Sequence, residues 1–170
     1  DYFTGRDMLD VENSEAWTIV IVGDLGASPS STQTFLGKGT TGTGRPSYAV
    51  SYDENYGFSS DWYDDHDDSA FIGKGGDNSG IIMMEVDRQQ LRHRLFFNGS
   101  LLEETVISTA SVYTMDSDDY FYLGVDSGGG NPGSQYLNGD LYEVIIFDTI
   151  LSDTQRYELN LYLANKWKLV

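Results

Sequence analysis

An all-β sandwich of two antiparallel sheets with one short C-terminal helix is the fold class this 170-residue sequence predicts. Three observations predict it. Short apolar stretches, continuous or alternating with a period of two, recur between clusters of glycine, serine, proline and aspartate. Aromatics make up 14% of the chain and, with 19 glycines, favour strands joined by turns over a helical bundle. Helical periodicity shows once, near the C-terminus, and one helix cannot cover both faces of a sheet, which excludes βαβ layering.

The elements follow in order. "AWTIVIVGD", residues 16–24, is almost continuously apolar, as a strand inside a sandwich would be. After a Gly, Ser, Pro and Thr loop, "TFLGKG" (Thr34 to Gly39) reads as a short strand. "SYAVSYD" sets Tyr48, Val50 and Tyr52 against Ser47, Ala49 and Ser51, a strand with one face buried. "DWYDDHDD", residues 61–68, reads as an acidic loop, with "AFIG" and "GIIMMEVD" as strands beyond it. In "LRHRLFFNGSLLEE" two apolar runs flank Asn98-Gly99, the signature of a tight type I′ hairpin. "YFYLGVD" and "YLNGDLYEVIIFD" supply the last strands, with a second Asn-Gly turn at Asn138-Gly139. Ser152 and Gln155 form a capping box, and Leu159, Leu163 and Trp167 line one stripe of the helix that follows. With no internal repeat or linker, residues 1–170 read as a single domain.

Composition removes several functions. The net charge of -17 repels nucleic acid and anionic membranes, and no apolar run approaches the roughly 18 residues of a membrane span. The chain has no cysteine, so disulfides, thiol catalysis and thiolate metal sites are excluded. It begins at Asp1 without methionine, from which a piece of a longer polypeptide or a trimmed chain is expected.

The closing stretch "YLNGDLYEVIIFDTILSDTQRYELNLYLANKWKL", Tyr136 to Leu169, resembles the end of laminin-G-like jelly-roll domains of the concanavalin A-like lectin/glucanase class. Gly139, Glu143, Val144, Phe147, Asp148, Leu151, Ser152, Tyr162, Leu163, Lys166 and Trp167 carry the resemblance. "TFLGKG", "RHRLFFNGSLL" and "YFYLGVD" match earlier family strands in the right order. The resemblance implies an extracellular, cell-surface or virion-borne binding module that recognises glycans or an extracellular protein, with calcium as the cofactor of its rim loops. A structural or assembly domain of a larger surface, capsid or fibre protein is the alternative, and a glycoside hydrolase or polysaccharide lyase-like enzyme the third reading.

Candidate site residues follow from chemistry. Calcium takes about six to eight oxygen ligands, and Asp61, Asp64, Asp65 and Asp67 offer carboxylates at close spacing. The segment lacks the glycine and closing glutamate of an EF-hand, so a calcium cage and a solvated acidic loop both stay open. "MDSDD", with Asp116, Asp118 and Asp119, is a second acidic candidate. For sugar stacking, Trp62, Tyr63, Tyr56 and Tyr136 are the ligand-binding candidates, with Tyr52 and Phe58 as further rim positions; anchoring of the loop is the alternative role for Trp62. Catalysis would need paired carboxylates. "EVDRQQ" places Glu85 and Asp87 on one face of a strand but lacks a third acid, so no catalytic residues are expected. Glu143, a lone carboxylate in an apolar strand, is expected to hold structure.

Overall fold

The structure, a computed structural model, describes residues 3–6, 16–26, 32–39, 47–53, 57–63, 69–74, 79–107, 120–125 and 135–169. For Phe3, Arg6, Ser47, Asp53, Trp62, Tyr63 and residues 69–74 it describes the backbone alone. The strands are β1 (Phe3–Arg6), β2 (Ala16–Asp24), β3 (Gln33–Lys38), β4 (Ser47–Asp53), β5 (Gly57–Tyr63) and β6 (Ser69–Lys74). They continue with β7 (Ser79–Asp87), β8 (Arg92–Phe97), β9 (Ser100–Val106), β10 (Tyr120–Leu123) and β11 (Asp140–Phe147), and helix α1 (Asp153–Trp167) follows. All pairings are antiparallel. One sheet runs β1-β10-β3-β4-β5-β6, the other β11-β2-β7-β8-β9, and the expected two-sheet sandwich is the architecture found.

Burial on two sides explains the unbroken apolar run of β2. Trp17, Ile19 and Ile21 face inward with Ile82, Met84 and Val86 of β7, against Phe35, Leu36, Tyr48, Val50 and Phe58 of the six-stranded sheet. The alternate residues Val20 and Val22, with Ile81, Met83 and Phe96, face outward and are covered by Leu151 and Leu163, flanked by Leu159 and Trp167 of α1. The five-stranded sheet is therefore apolar on both faces, and the helix stripe seen in the sequence is what seals the outer one. α1 starts at the expected capping box: the Gln155 N–H donates to Ser152 Oγ at 3.3 Å, and the Ser152 N–H donates to Gln155 Oε1 at 2.9 Å.

Several expectations are corrected. The acidic stretch does not begin as a loop, because Asp61, Trp62 and Tyr63 belong to β5, paired with β4 on one side and β6 on the other. Two ladders of backbone hydrogen bonds outweigh the loop preference of one aspartate flanked by β-favouring aromatics. Phe58 is no rim residue: it is 1% exposed and stacks on Phe97 of the opposite sheet at 4.8 Å. Tyr52, its cross-strand partner, packs edge-on against it at 5.6 Å. β4 buries both faces, since Ala49 and Ser51 are buried as well as Tyr48 and Val50. β1 has no counterpart in the expected elements.

The two Asn-Gly turns differ. Asn98 and Gly99 have φ of 47° and 78°, both positive as a type I′ turn demands, and Asn98 Oδ1 also accepts from the Ile81 N–H at 2.9 Å. At Asn138-Gly139 neither φ is positive. There the glycine is required by close approach, because a Cβ on Gly139 would collide with the Asp24 carbonyl oxygen.

Candidate functional site

The predicted site residues fall into three groups. Tyr56, Asp64, Asp65 and Asp67 lie outside the described residues, as do His66, Asp116, Asp118 and Asp119. Asp61, Trp62 and Tyr63 sit together at the end of β5, opposite Ala49, Tyr48 and Ser47 of β4; the Asp61 side chain is half-buried. Tyr136, 49% exposed, lies elsewhere. Its neighbour Gln135 accepts from the Thr34 N–H through its carbonyl at 3.3 Å, at the start of β3. Lys38, at the other end of β3, pairs with Tyr48, which pairs with Trp62. Thr34 and Lys38 lie four residue steps apart, about 13 Å at the usual rise. The fold thus joins Asp61, Trp62 and Tyr63 at one end of the six-stranded sheet and sets Tyr136 at the other. Among the described residues, no three histidines or acids converge in a way that would hold a metal ion.

Glu85 has a structural occupation. It lies fully buried on the outer face of β7, beneath the first turns of α1. Arg156 Nη1 donates to its two carboxylate oxygens at 3.0 and 3.3 Å, and Arg94 Nη2 stands 2.9 Å from Oε2. The same Arg156 nitrogen donates to the Leu151 carbonyl at 2.6 Å, Nη2 pairs with Asp153, and the guanidinium lies 4.9 Å over the Phe96 ring. Burial raises the Glu85 pKa, and the two guanidiniums oppose that rise without cancelling it. Asp87 is engaged too, its Oδ1 accepting from the Gln90 N–H at 2.9 Å in the turn after β7. The partial acid pair of the sequence is therefore a helix anchor and a turn cap. Arg156 carries a signal that sequence reasoning passed over: a cation in the first turns of a helix opposes the helix dipole, so it calls for a buried anion elsewhere.

Glu143 holds the other end of the helix, as its isolation in an apolar strand suggests. Lys166 Nζ donates to Oε1 and Oε2 at 3.0 and 2.9 Å, and Trp167 Nε1 donates to Oε2 at 2.8 Å. The Trp167 ring stacks on Tyr142 at 5.2 Å. The hydrogen bond from Lys166, then that from Trp167, lowers the Glu143 pKa from 4.5; the same contact raises that of Lys166. A depressed carboxylate pKa stabilises the fold above its unfolded value and loses that contribution as pH falls through the folded value. Glu143→Gln is expected to melt earlier than the parent at neutral pH, with the gap closing in acid below the carboxylate range. Thermal melts at the two pH values check this.

One more polar pair spans the core. Ser60 Oγ of β5 and His93 Nε2 of β8 lie 2.8 Å apart, and both residues are fully buried. A serine beside a histidine suggests nucleophilic chemistry, but both side chains are sealed between the two sheets, which they bridge from inside.

No protein-family model matches this chain, and no curated protein matches it. Solved structures do. The CBM40 domain of Ruminococcus gnavus IT-sialidase, bound to α2,3-sialyllactose, matches with a TM-score of 0.65 at 15% identity, over 94% of this chain and 96% of that one. The NanB sialidase of Streptococcus pneumoniae matches with a TM-score of 0.65 at 15% identity, over 94% of this chain. A leech intramolecular trans-sialidase matches with a TM-score of 0.65 at 15% identity, over 92%. The chain spans 27% of the length of each of those two sialidase chains. What the likeness shows is the jelly-roll β-sandwich fold; the narrower laminin-G-like expectation is not part of it.

Proposed function

We propose that this chain is a non-catalytic, extracellular carbohydrate-binding module. The observation that carries the reading is the near end-to-end match with the CBM40 domain, a structure bound to sialyllactose, in which each chain covers more than nine-tenths of the other. Module corresponds to module along nearly the full length of both. The burial of Glu85 supports the same reading, because an acid sealed beneath a helix cannot reach a glycosidic bond. The β5 end is the glycan platform of this proposal, with Trp62 and Tyr63 as stacking residues. Calcium is its cofactor, held by Asp61 together with Asp64, Asp65 and Asp67; a single carboxylate at the flank of a strand suits an ion whose other ligands come from the segment beyond.

A glycan array with sialylated and neutral oligosaccharides, run with calcium and with chelator, tests this. Binding to at least one glycan, lost in Trp62→Ala, is the expected result. Calcium should also raise the melting temperature, since a ligand that binds only the folded state stabilises it. An unchanged melt at millimolar calcium removes the metal from the proposal. The second reading, an assembly domain, is favoured by the exposed Leu101, Val106, Tyr157, Leu161 and Tyr162. It takes over if no glycan binds and the protein self-associates in sedimentation.

A further inference from the structure

We propose that the groove between the β8–β9 hairpin and the first half of α1 is a second sugar site, selective for a neutral hexose rather than a charged one. It rests on the carbohydrate-binding reading but lies away from the β5 end. The groove encloses about 380 Å³, within the range of small-ligand sites. Both walls are regular structure. The hairpin tip is fixed by the bond from the Ile81 N–H to Asn98 Oδ1, and the helix rests directly on it, because a Cβ at Gly99 would lie 3.1 Å from the Asn160 carboxamide.

The lining has the two-sided character of a pyranose. Tyr157, 64% exposed, and Leu101, 52% exposed, offer an aromatic face and an apolar rim for the C–H side of a ring. Ser100 and the carboxamides of Asn98 and Asn160 offer hydroxyl and amide groups for its O–H side. Charge decides between sugars. Among the described residues the one cation lining the groove, Arg156, is already engaged by Glu85, the Leu151 carbonyl and Asp153. An anionic sugar finds no cation there that is not already neutralised, and it must approach a surface of net charge -17. A neutral, hydroxyl-rich ring meets neither obstacle.

The test is a titration of the whole chain with lactose, followed by amide chemical shifts, beside a parallel titration with free sialic acid. Lactose is expected to move the signals of the hairpin tip and of the first half of α1. Tyr157→Ala is expected to weaken that binding about tenfold, the equivalent of about 1.4 kcal/mol. Tyr157→Phe, which keeps the ring, should bind as the parent does. The exposure of Tyr157 makes both variants safe for folding. Lactose shifts confined to the β5 end, or a Tyr157→Ala variant that binds unchanged, would overturn the groove while leaving the module reading intact. Sialic acid moving the groove signals more strongly than lactose would overturn the neutral class. Shifts nowhere with either sugar would overturn the groove, and the array result then decides the module reading separately.

Discussion

Phe58→Ala is expected to lower the unfolding free energy by about 3–5 kcal/mol, a large fraction of the roughly 5–15 kcal/mol that holds a domain folded. Phe58 carries an aromatic contact between the two sheets. It stacks on Phe97 at 4.8 Å across the sandwich, meets Phe35 at 6.2 Å and receives the edge of Tyr52 at 5.6 Å. Truncation removes the ring's own burial and three aromatic contacts, and it leaves a cavity that two hydrogen-bonded sheets cannot close by sliding together. Phe58→Leu restores much of the volume without the ring geometry and should cost clearly less. Urea unfolding of the three proteins measures the series. Equal losses for leucine and alanine would mean that the ring contacts, not the filled volume, carry the stability.

Glu85→Ala is the second large effect, again about 3–5 kcal/mol, for a different reason. It strands two guanidiniums that are only 16% and 13% exposed, and it leaves the first turns of α1 without their anchor. Glu85→Gln separates charge from shape. Burial is the strongest influence on this carboxyl and raises its pKa, so ionisation costs stability rather than adding it, because the attraction of Arg94 and Arg156 offsets only part of the desolvation. The glutamine keeps the length and an acceptor oxygen, and its expected loss is on the order of 1–2 kcal/mol. The sign with pH is opposite to that of Glu143. A raised folded pKa gives a contribution that is full below 4.5 and is lost as pH rises through the folded value. The Glu85→Gln deficit should therefore be largest in acid and shrink as pH rises through the folded value, whereas a lost favourable charge would leave a deficit that grows with pH; chemical denaturation at several pH values reads this directly.

Much of the scaffold was legible because its signals are local. The continuous run in β2, the Asn98-Gly99 turn and the Ser152 capping box each write their geometry within a few residues. β5 was misread because its acidic tail looks like a loop, and only pairing on both sides, a non-local fact, makes Asp61 to Tyr63 a strand. The same non-locality hid the role of Phe58, whose place in the core depends on Phe97, 39 positions further along the numbering (97 − 58). The Glu85 anchor joins residues separated by 71 positions, and the groove forms only once a hairpin and a helix meet. Site chemistry drawn from single segments therefore found plausible residue types, while the fold decided which ends of the sheet they occupy.

The five-stranded sheet is the common wall of two apolar layers, and β2 and β7 are two of its three interior strands. Their amide protons cannot meet solvent through loss of the helix alone or of the opposite sheet alone. Deuterium should enter them only when the entire domain opens, so their protection reports the global free energy. Amides in β1 and in the last turn of α1 should exchange far sooner. A bound sugar that slowed the β2 amides would thus be stabilising the molecule as a whole, whichever surface it occupied.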